Sequence, residues 1–185
     1  MPPAPSVAAT QGGWLLVAGL MLPVLAMLMA FAAGGRRAER VAQGFAPIGL
    51  AVAAAIAAAV ARADGALTYI VGAWAPPLGI ALRADGFAAA MMLTTALVMC
   101  AVALYAPHNL RTPPGAAEAR TPFAFWLLLL ALWGALNAVF LGGDLFSLYV
   151  ALELLTFAAA PMVALNGGRP ALSASLRYLL FALLG

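Results

Sequence analysis

The sequence predicts an all-α membrane protein, a polytopic helix bundle of five full spans plus a truncated sixth, with its N-terminus outside. Three observations carry this expectation. Of the 185 residues, 66% are apolar and only 8% are charged, against roughly 25% charged residues in an average soluble domain. The charges cluster between long apolar runs, the pattern expected when hydrocarbon is the solvent. All nine basic residues are arginines, with no lysine in the chain, and they stand at the ends of those runs, where topology places them.

The first twelve residues are rich in Pro and Ala and lack a basic n-region, and the apolar stretch that follows is too long for a signal h-region. It reads as a retained first span over 14–33. Further runs at 41–60, 86–105, 122–141 and 145–165 are each long enough to cross about 30 Å at 1.5 Å per residue. A sixth run starts near Pro170 and stops at Gly185, roughly 24 Å of helix and short of a span. The connections are brief: 34–40, 106–121 with Pro113, Pro114 and Gly115, and a tight turn at Gly142, Gly143 and Asp144. None can fold as a soluble domain, so residues 1–185 read as a single transmembrane domain.

The segment 66–85 is apolar but holds Gly72, Pro76, Pro77 and Gly79, which break a helix and leave amides that hydrocarbon penalises. Arginine positions decide how it is read. If it does not span and the N-terminus is outside, six arginines (36, 37, 40, 111, 120 and 169) lie inside against Arg62 and Arg83 outside. If it spans, the division is four against four. The positive-inside rule favours an external, non-spanning segment.

Glu153 is the residue on which chemistry centres. It lies nine residues past Asp144, about 13 Å into the fifth helix and near the middle of the hydrocarbon. An ionised carboxylate there costs several kcal/mol, so the group is neutral, paired or hydrated, and the first two states make it a candidate proton carrier. The plainer reading is a protonated glutamate bonded within a helix interface. Tyr149 and Thr156 share its face, to hold water or a proton wire, or as ordinary polar decoration. Pro161 leaves the Phe157 carbonyl without its amide partner.

Arg177 sits about seven residues into the sixth run, where it either snorkels to the surface or pairs across helices; a guanidinium stays protonated and cannot relay protons. Asn137 is placed to hydrogen-bond across the bundle. Asp85 and Asp144 stand at helix starts, where capping fits them better than catalysis. His108 reads as a solvated loop histidine. Cys100 stands alone, which excludes an intramolecular disulfide or a cysteine metal cluster. No nucleotide loop, haem motif, metal spacing, flavin, iron–sulfur or quinone motif is present, so no cofactor is expected. No basic stripe interleaved with aromatics points to nucleic acid.

The run from Asn137 through Gly142-Gly143-Asp144-Leu-Phe to Glu153-Leu154 resembles the fourth-to-fifth helix region of the proton-conducting antiporter-like subunits. That family is shared by respiratory complex I, membrane-bound hydrogenases and multisubunit cation/proton antiporters. Two further pieces agree in order and spacing: Trp74-Ala-Pro-Pro-Leu-Gly through Asp85, and Ala171-Leu-Ser-Ala-Ser-Leu-Arg177 to Gly185. The Gly-Asp-Leu-Phe start and the Trp-Ala-Pro-Pro-Leu-Gly segment look most like the D-type antiporter subunit. The resemblance covers about 69–185, the N-terminal portion of a subunit of about fourteen helices.

The resemblance implies that Glu153 is the family's helix-five glutamate, which pairs with a lysine on helix seven along a hydrated axis. This sequence has neither that helix nor any lysine. The expected function is therefore the proton-pathway part of an ion-pumping membrane complex in the cell inner membrane. Its expected partners are other membrane subunits, protons, a monovalent cation and the lipid bilayer; any redox chemistry belongs to partner subunits. The alternative is a structural scaffold subunit or a nonfunctional truncated remnant.

Overall fold

The computed structural model describes residues 10–63, 65–74, 79–110, 119–165 and 167–184. The Pro76–Pro77 break, the connection holding Arg111, Pro113, Pro114 and Glu118, and the Pro-rich start lie outside the described residues. Six α-helices and one β-hairpin make up the described chain: α1 Trp14–Ala33, α2 Gly35–Arg62, β1 Leu67–Ile70, β2 Ala81–Ala84, α3 Gly86–Asn109, α4 Arg120–Leu141, α5 Leu145–Val163 and α6 Arg169–Leu184. Helices α1 to α5 are long and apolar enough to cross a membrane. α6 has 16 residues.

Small residues at helical spacing explain how the bundle closes. α1 buries Leu16, Gly19, Pro23, Ala26 and Ala30, and α2 buries Ala38, Ala42, Ala46, Gly49, Ala53 and Ile56. Without a hydrophobic drive inside lipid, helices associate by close packing, and such small-residue rows let backbones approach. The approach is tightest at Gly49, where a Cβ would lie 2.1 Å from the Trp133 ring of α4. α4 is the central helix, burying Trp126, Leu129, Leu130, Trp133, Ala135, Asn137 and Leu141. α5 buries only Ala151, Ala158 and Ala160, and packs on α4 and α6.

Several boundaries differ from the sequence reading: α3 runs four residues further, to Asn109, and takes His108 into its last turn, and α2 and α4 each gain two residues at one end. The 34–40 connection is not a loop: Gly34 and Gly35, at φ 64° and 45°, reverse the chain within two residues, a conformation glycine adopts without steric cost. Arg36, Arg37 and Arg40 therefore stand on the first turns of α2. The fifth helix ends at Val163, two residues early, because the Ala164 amide turns back to the Pro161 carbonyl.

The segment between α2 and α3 carries the one β element among the described residues. Leu67 to Ile70 pair antiparallel with Ala84 to Ala81, in a stretch whose Thr68, Tyr69 and Ile70 favour extended backbone. A lone two-stranded hairpin is marginal, and this one is pinned on both edges. Thr10, just before α1, exchanges bonds with Thr68: its amide donates to the Thr68 carbonyl at 3.0 Å, and its Oγ1 accepts from the Thr68 amide at 2.9 Å. On the other side Leu82 bridges Gly142, and the Gly143 amide donates to the Ala81 carbonyl at 2.9 Å. The hairpin thus ties together the starts of α1, α3 and α5. The bundle has two ends, one closed by the hairpin and one carrying Arg36, Arg37, Arg40, Arg120 and Arg169.

Candidate functional site around Glu153

α5 starts at a built cap. Asp144 Oδ1 accepts from the Ser147 amide at 2.8 Å and Oδ2 accepts from the Ser147 hydroxyl at 2.7 Å. The Ser147 amide, then its hydroxyl, with smaller help from the Ala81 and Phe146 amides, hold this carboxyl below its ordinary value against a small opposing effect of burial. Gly143 has no room for a side chain, since a Cβ would come within 2.6 Å of the Ala81 carbonyl oxygen. The hairpin and the cap together fix where α5 begins, and so how deep Glu153 lies. Asp85 caps α3 in the same way, accepting from the Ala88 amide at 2.9 Å.

Glu153 is the ninth of the 19 residues of α5, half-buried at mid-helix. The Tyr149 hydroxyl, one turn earlier, is its polar neighbour on the same face. Residues 149, 153, 156 and 160 recur at spacings of four, three and four, so they form one stripe. At one end of that stripe Ala160 meets α6, whose Ser175 hydroxyl donates to the Ala160 carbonyl at 2.6 Å. At the other end Tyr149 is 60% exposed. The Thr156 hydroxyl donates to the Leu152 carbonyl of its own helix at 3.0 Å.

The Ser175–Ala160 bond also sets which part of α6 comes level with the acid. Seven residues separate Glu153 from Ala160, so the matching level on the antiparallel α6 is seven residues beyond Ser175, near Ala182. Arg177 lies only two residues beyond Ser175, about 7–8 Å short of that level along the axis, and is exposed. The two are not brought together. Nor does Glu153 line the cavity between α1, α4 and α5, which opens on another face of α5, lined by Phe146, Val150, Leu154 and Phe157.

Asn137 is used elsewhere. It is 4% exposed, and its Nδ2 donates to the Gly19 carbonyl of α1 at 2.8 Å. That carbonyl is open because the residue four positions on is Pro23, which has no amide hydrogen. The same device, which the sequence reading missed, joins α2 to α3: Gln43 Nε2 donates to the Ala103 carbonyl at 3.3 Å, and the residue four positions past Ala103 is Pro107. Proline inside a span, four residues after a carbonyl, was the available signal. His108 stands exposed in the last turn of α3, its ring 6.3 Å from that of Tyr105.

No family model matches the chain. It is 35% identical over 117 residues to the D-type component of the Na(+)/H(+) antiporter of Bacillus subtilis (strain 168), covering 63% of this chain and 22% of the relative. The corresponding antiporter component of Alkalihalophilus pseudofirmus is 29% identical over 140 residues, covering 76% and 27%. The N-type component of the NADH-quinone oxidoreductase of Desulforudis audaxviator is 38% identical over 114 residues, covering 60% and 21%. The chain thus spans about a quarter of these relatives or less. In fold it is similar to a chain of the membrane-bound sulfane sulfur reductase, an archaeal respiratory membrane complex, with a TM-score of 0.75 at 24% identity over 92% of this chain and 34% of that one. Over that part of their length, the protein resembles the antiporter-like subunits of multisubunit membrane complexes, and within them it is most like the D-type antiporter subunit.

Proposed function

We propose that this chain forms the proton-pathway part of an antiporter-like subunit in an ion-pumping complex of the cell inner membrane, with Glu153 as the intramembrane acid that takes and releases the proton. One observation supports this reading most: a carboxylate at mid-span on a stripe that the described helices leave half open, with the Tyr149 hydroxyl as its neighbour. An acid at that depth is functional by default. α6 offers no cation at its level, so the cationic group that sets its charge comes from another part of the subunit or of the complex. Tyr149 orients the carboxylate, and Arg177 tunes the field from one side without moving protons. In this reading the hairpin segment 66–85 lies on the outer side and the arginine end on the inner side.

The test is Glu153→Gln in the complete complex, which keeps shape and removes the titrating group. Ion-coupled transport is lost while assembly, read by co-purification of the partner subunits, is unchanged. Normal transport in the assembled variant would leave the scaffold reading standing and remove this one.

A further inference from the structure

The core of the bundle holds a polar atom that the proton-path reading does not use. Asn137 Nδ2 donates to the Gly19 carbonyl at 2.8 Å, but Asn137 Oδ1 is buried and accepts no hydrogen bond among the described residues. A buried amide oxygen in that position forfeits the bond it would make in water, and such groups are rare in folded proteins. Exchanging the two ends of the amide gives no relief, because the oxygen would then face the Gly19 carbonyl, an acceptor like itself. The asparagine is therefore held in one orientation, with its oxygen open.

Asn137 lines a small cavity where four helices meet. Gly19 of α1, Gly49 of α2, Met92 and Ala96 of α3, and Trp133 of α4 form much of the rest of its wall. Its volume is about 10 Å³, the least that holds one water molecule. Around it the packing is close: a Cβ on Gly19 would stand 3.0 Å from both the Ile56 and Met92 side chains, and one on Gly49 would strike the Trp133 ring. Nothing larger than a water fits there.

The chemistry of the wall selects the occupant. Asn137 offers Oδ1, and the Gly19 carbonyl oxygen keeps a second lone pair beyond the bond from Nδ2. Both are acceptors, so the occupant must donate twice. A cation would find no carboxylate among the lining residues to offset its charge, and cavities that stay dry are apolar. We propose that one water molecule is bound here, donating to Asn137 Oδ1 and to the Gly19 carbonyl. Asn137 then grips the carbonyl that Pro23 opens twice, directly through its nitrogen and by way of the water through its oxygen. The joint of α1 and α4 becomes a closed ring of hydrogen bonds, sealed by α2 and α3. This inference does not depend on the proton-path reading.

The test uses the protein purified from membranes with the subunits that accompany it. An electron cryomicroscopy map fine enough to show ordered water carries a peak at about 2.7–3.0 Å from both Asn137 Oδ1 and the Gly19 oxygen. In solid-state NMR of the same assembly in bilayers, grown with isotope-labelled asparagine, water protons pass magnetisation to the Asn137 side-chain amide, whose resonance is assigned by its loss in Asn137→Leu. Ala96→Val fills the cavity and keeps the asparagine, so the amide resonance persists and the transfer is lost. The map and the transfer in the unaltered protein decide the matter whether or not Ala96→Val folds. No peak beside Oδ1, a protein donor on that atom, transfer that survives Ala96→Val, or a peak with contacts of about 2.3–2.6 Å, the range of a hard cation on oxygen, would each overturn the proposal.

Discussion

In α1 to α4 two amide side chains, those of Asn137 and Gln43, are engaged with backbone that proline has opened. Asn137 closes the Gly19 carbonyl freed by Pro23, and Gln43 closes the Ala103 carbonyl freed by Pro107. In α5 the equivalent polar group is not engaged in this way: Glu153 is half-buried beside a single hydroxyl, on a helix that buries three alanines and leaves Leu145, Phe146, Tyr149, Leu154 and Phe157 exposed. Both regions have similar composition and span the same thickness. The difference lies in whether a polar side chain is consumed by structure or held in reserve, and only a group held in reserve can change its protonation without loosening the fold.

Glu153→Gln gives the largest effect and the cleanest separation. Transport falls by about 10²–10⁴-fold, the usual contribution of a positioned acid or base, while the thermal midpoint of the purified protein barely moves. A large loss of stability instead would place Glu153 with Asn137, among the structural groups.

Gly49→Ala acts in the opposite sense, on stability and not on the acid. Its Cβ would meet the Trp133 ring, and overpacking of this kind costs about 1–3 kcal/mol. Gly44 on the same helix has nothing within 4 Å of its Cβ position, so Gly44→Ala stabilises, by about 0.5–1 kcal/mol. Denaturant titration of the two variants in one detergent checks the contrast, and Trp133→Phe restores part of the loss in the Gly49→Ala background.

Asn137→Ala costs about 0.6–1.7 kcal/mol, the measured range for hydrogen bonds between spans. With Pro23→Ala the amide that Gly19 lacks is supplied by α1 itself, and the asparagine has less to do. A double-mutant cycle therefore shows coupling between positions 23 and 137. Strict additivity would mean that the side chain is not there for the open carbonyl.

The smallest effect belongs to the cap of α5. Asp144→Asn keeps a good capping residue, so stability near neutral pH changes by a few tenths of a kcal/mol at most. Its acid dependence changes more visibly. The native carboxyl lies below its ordinary value, so its contribution is fully present above the unfolded value of about 3.9 and is lost as pH falls through the lowered native one. The asparagine variant lacks that component of acid destabilisation, which unfolding followed from about pH 6 downward reads directly.

Much of this was legible in the sequence for a plain reason: hydrocarbon forces each apolar run of sufficient length into a helix, because no other open backbone is satisfied there. Trp14–Ala33 and the start of Leu145–Val163 were readable to the residue, and Glu153, Asp144 and Asp85 stood out because a charge inside or beside such a run is rare. Gln43 and Ser175 did not stand out, since a polar side chain becomes meaningful only when a neighbouring helix presents an open carbonyl. The hairpin was visible only as a broken helix. Its strands exist because Thr10 and Gly142–Gly143 arrive from distant parts of the chain to pair with its edges.

By itself, then, the sequence determined the class, the helices and the mid-helix position of Glu153, all of which follow from local composition and the rise of a helix. Only the tertiary structure decided which polar groups the bundle consumes, that Arg177 stands off the level of the acid, and that the cavity on α5 lies away from Glu153. Those are relations between helices, set by packing and hydrogen-bond register, and no periodicity within one helix encodes them.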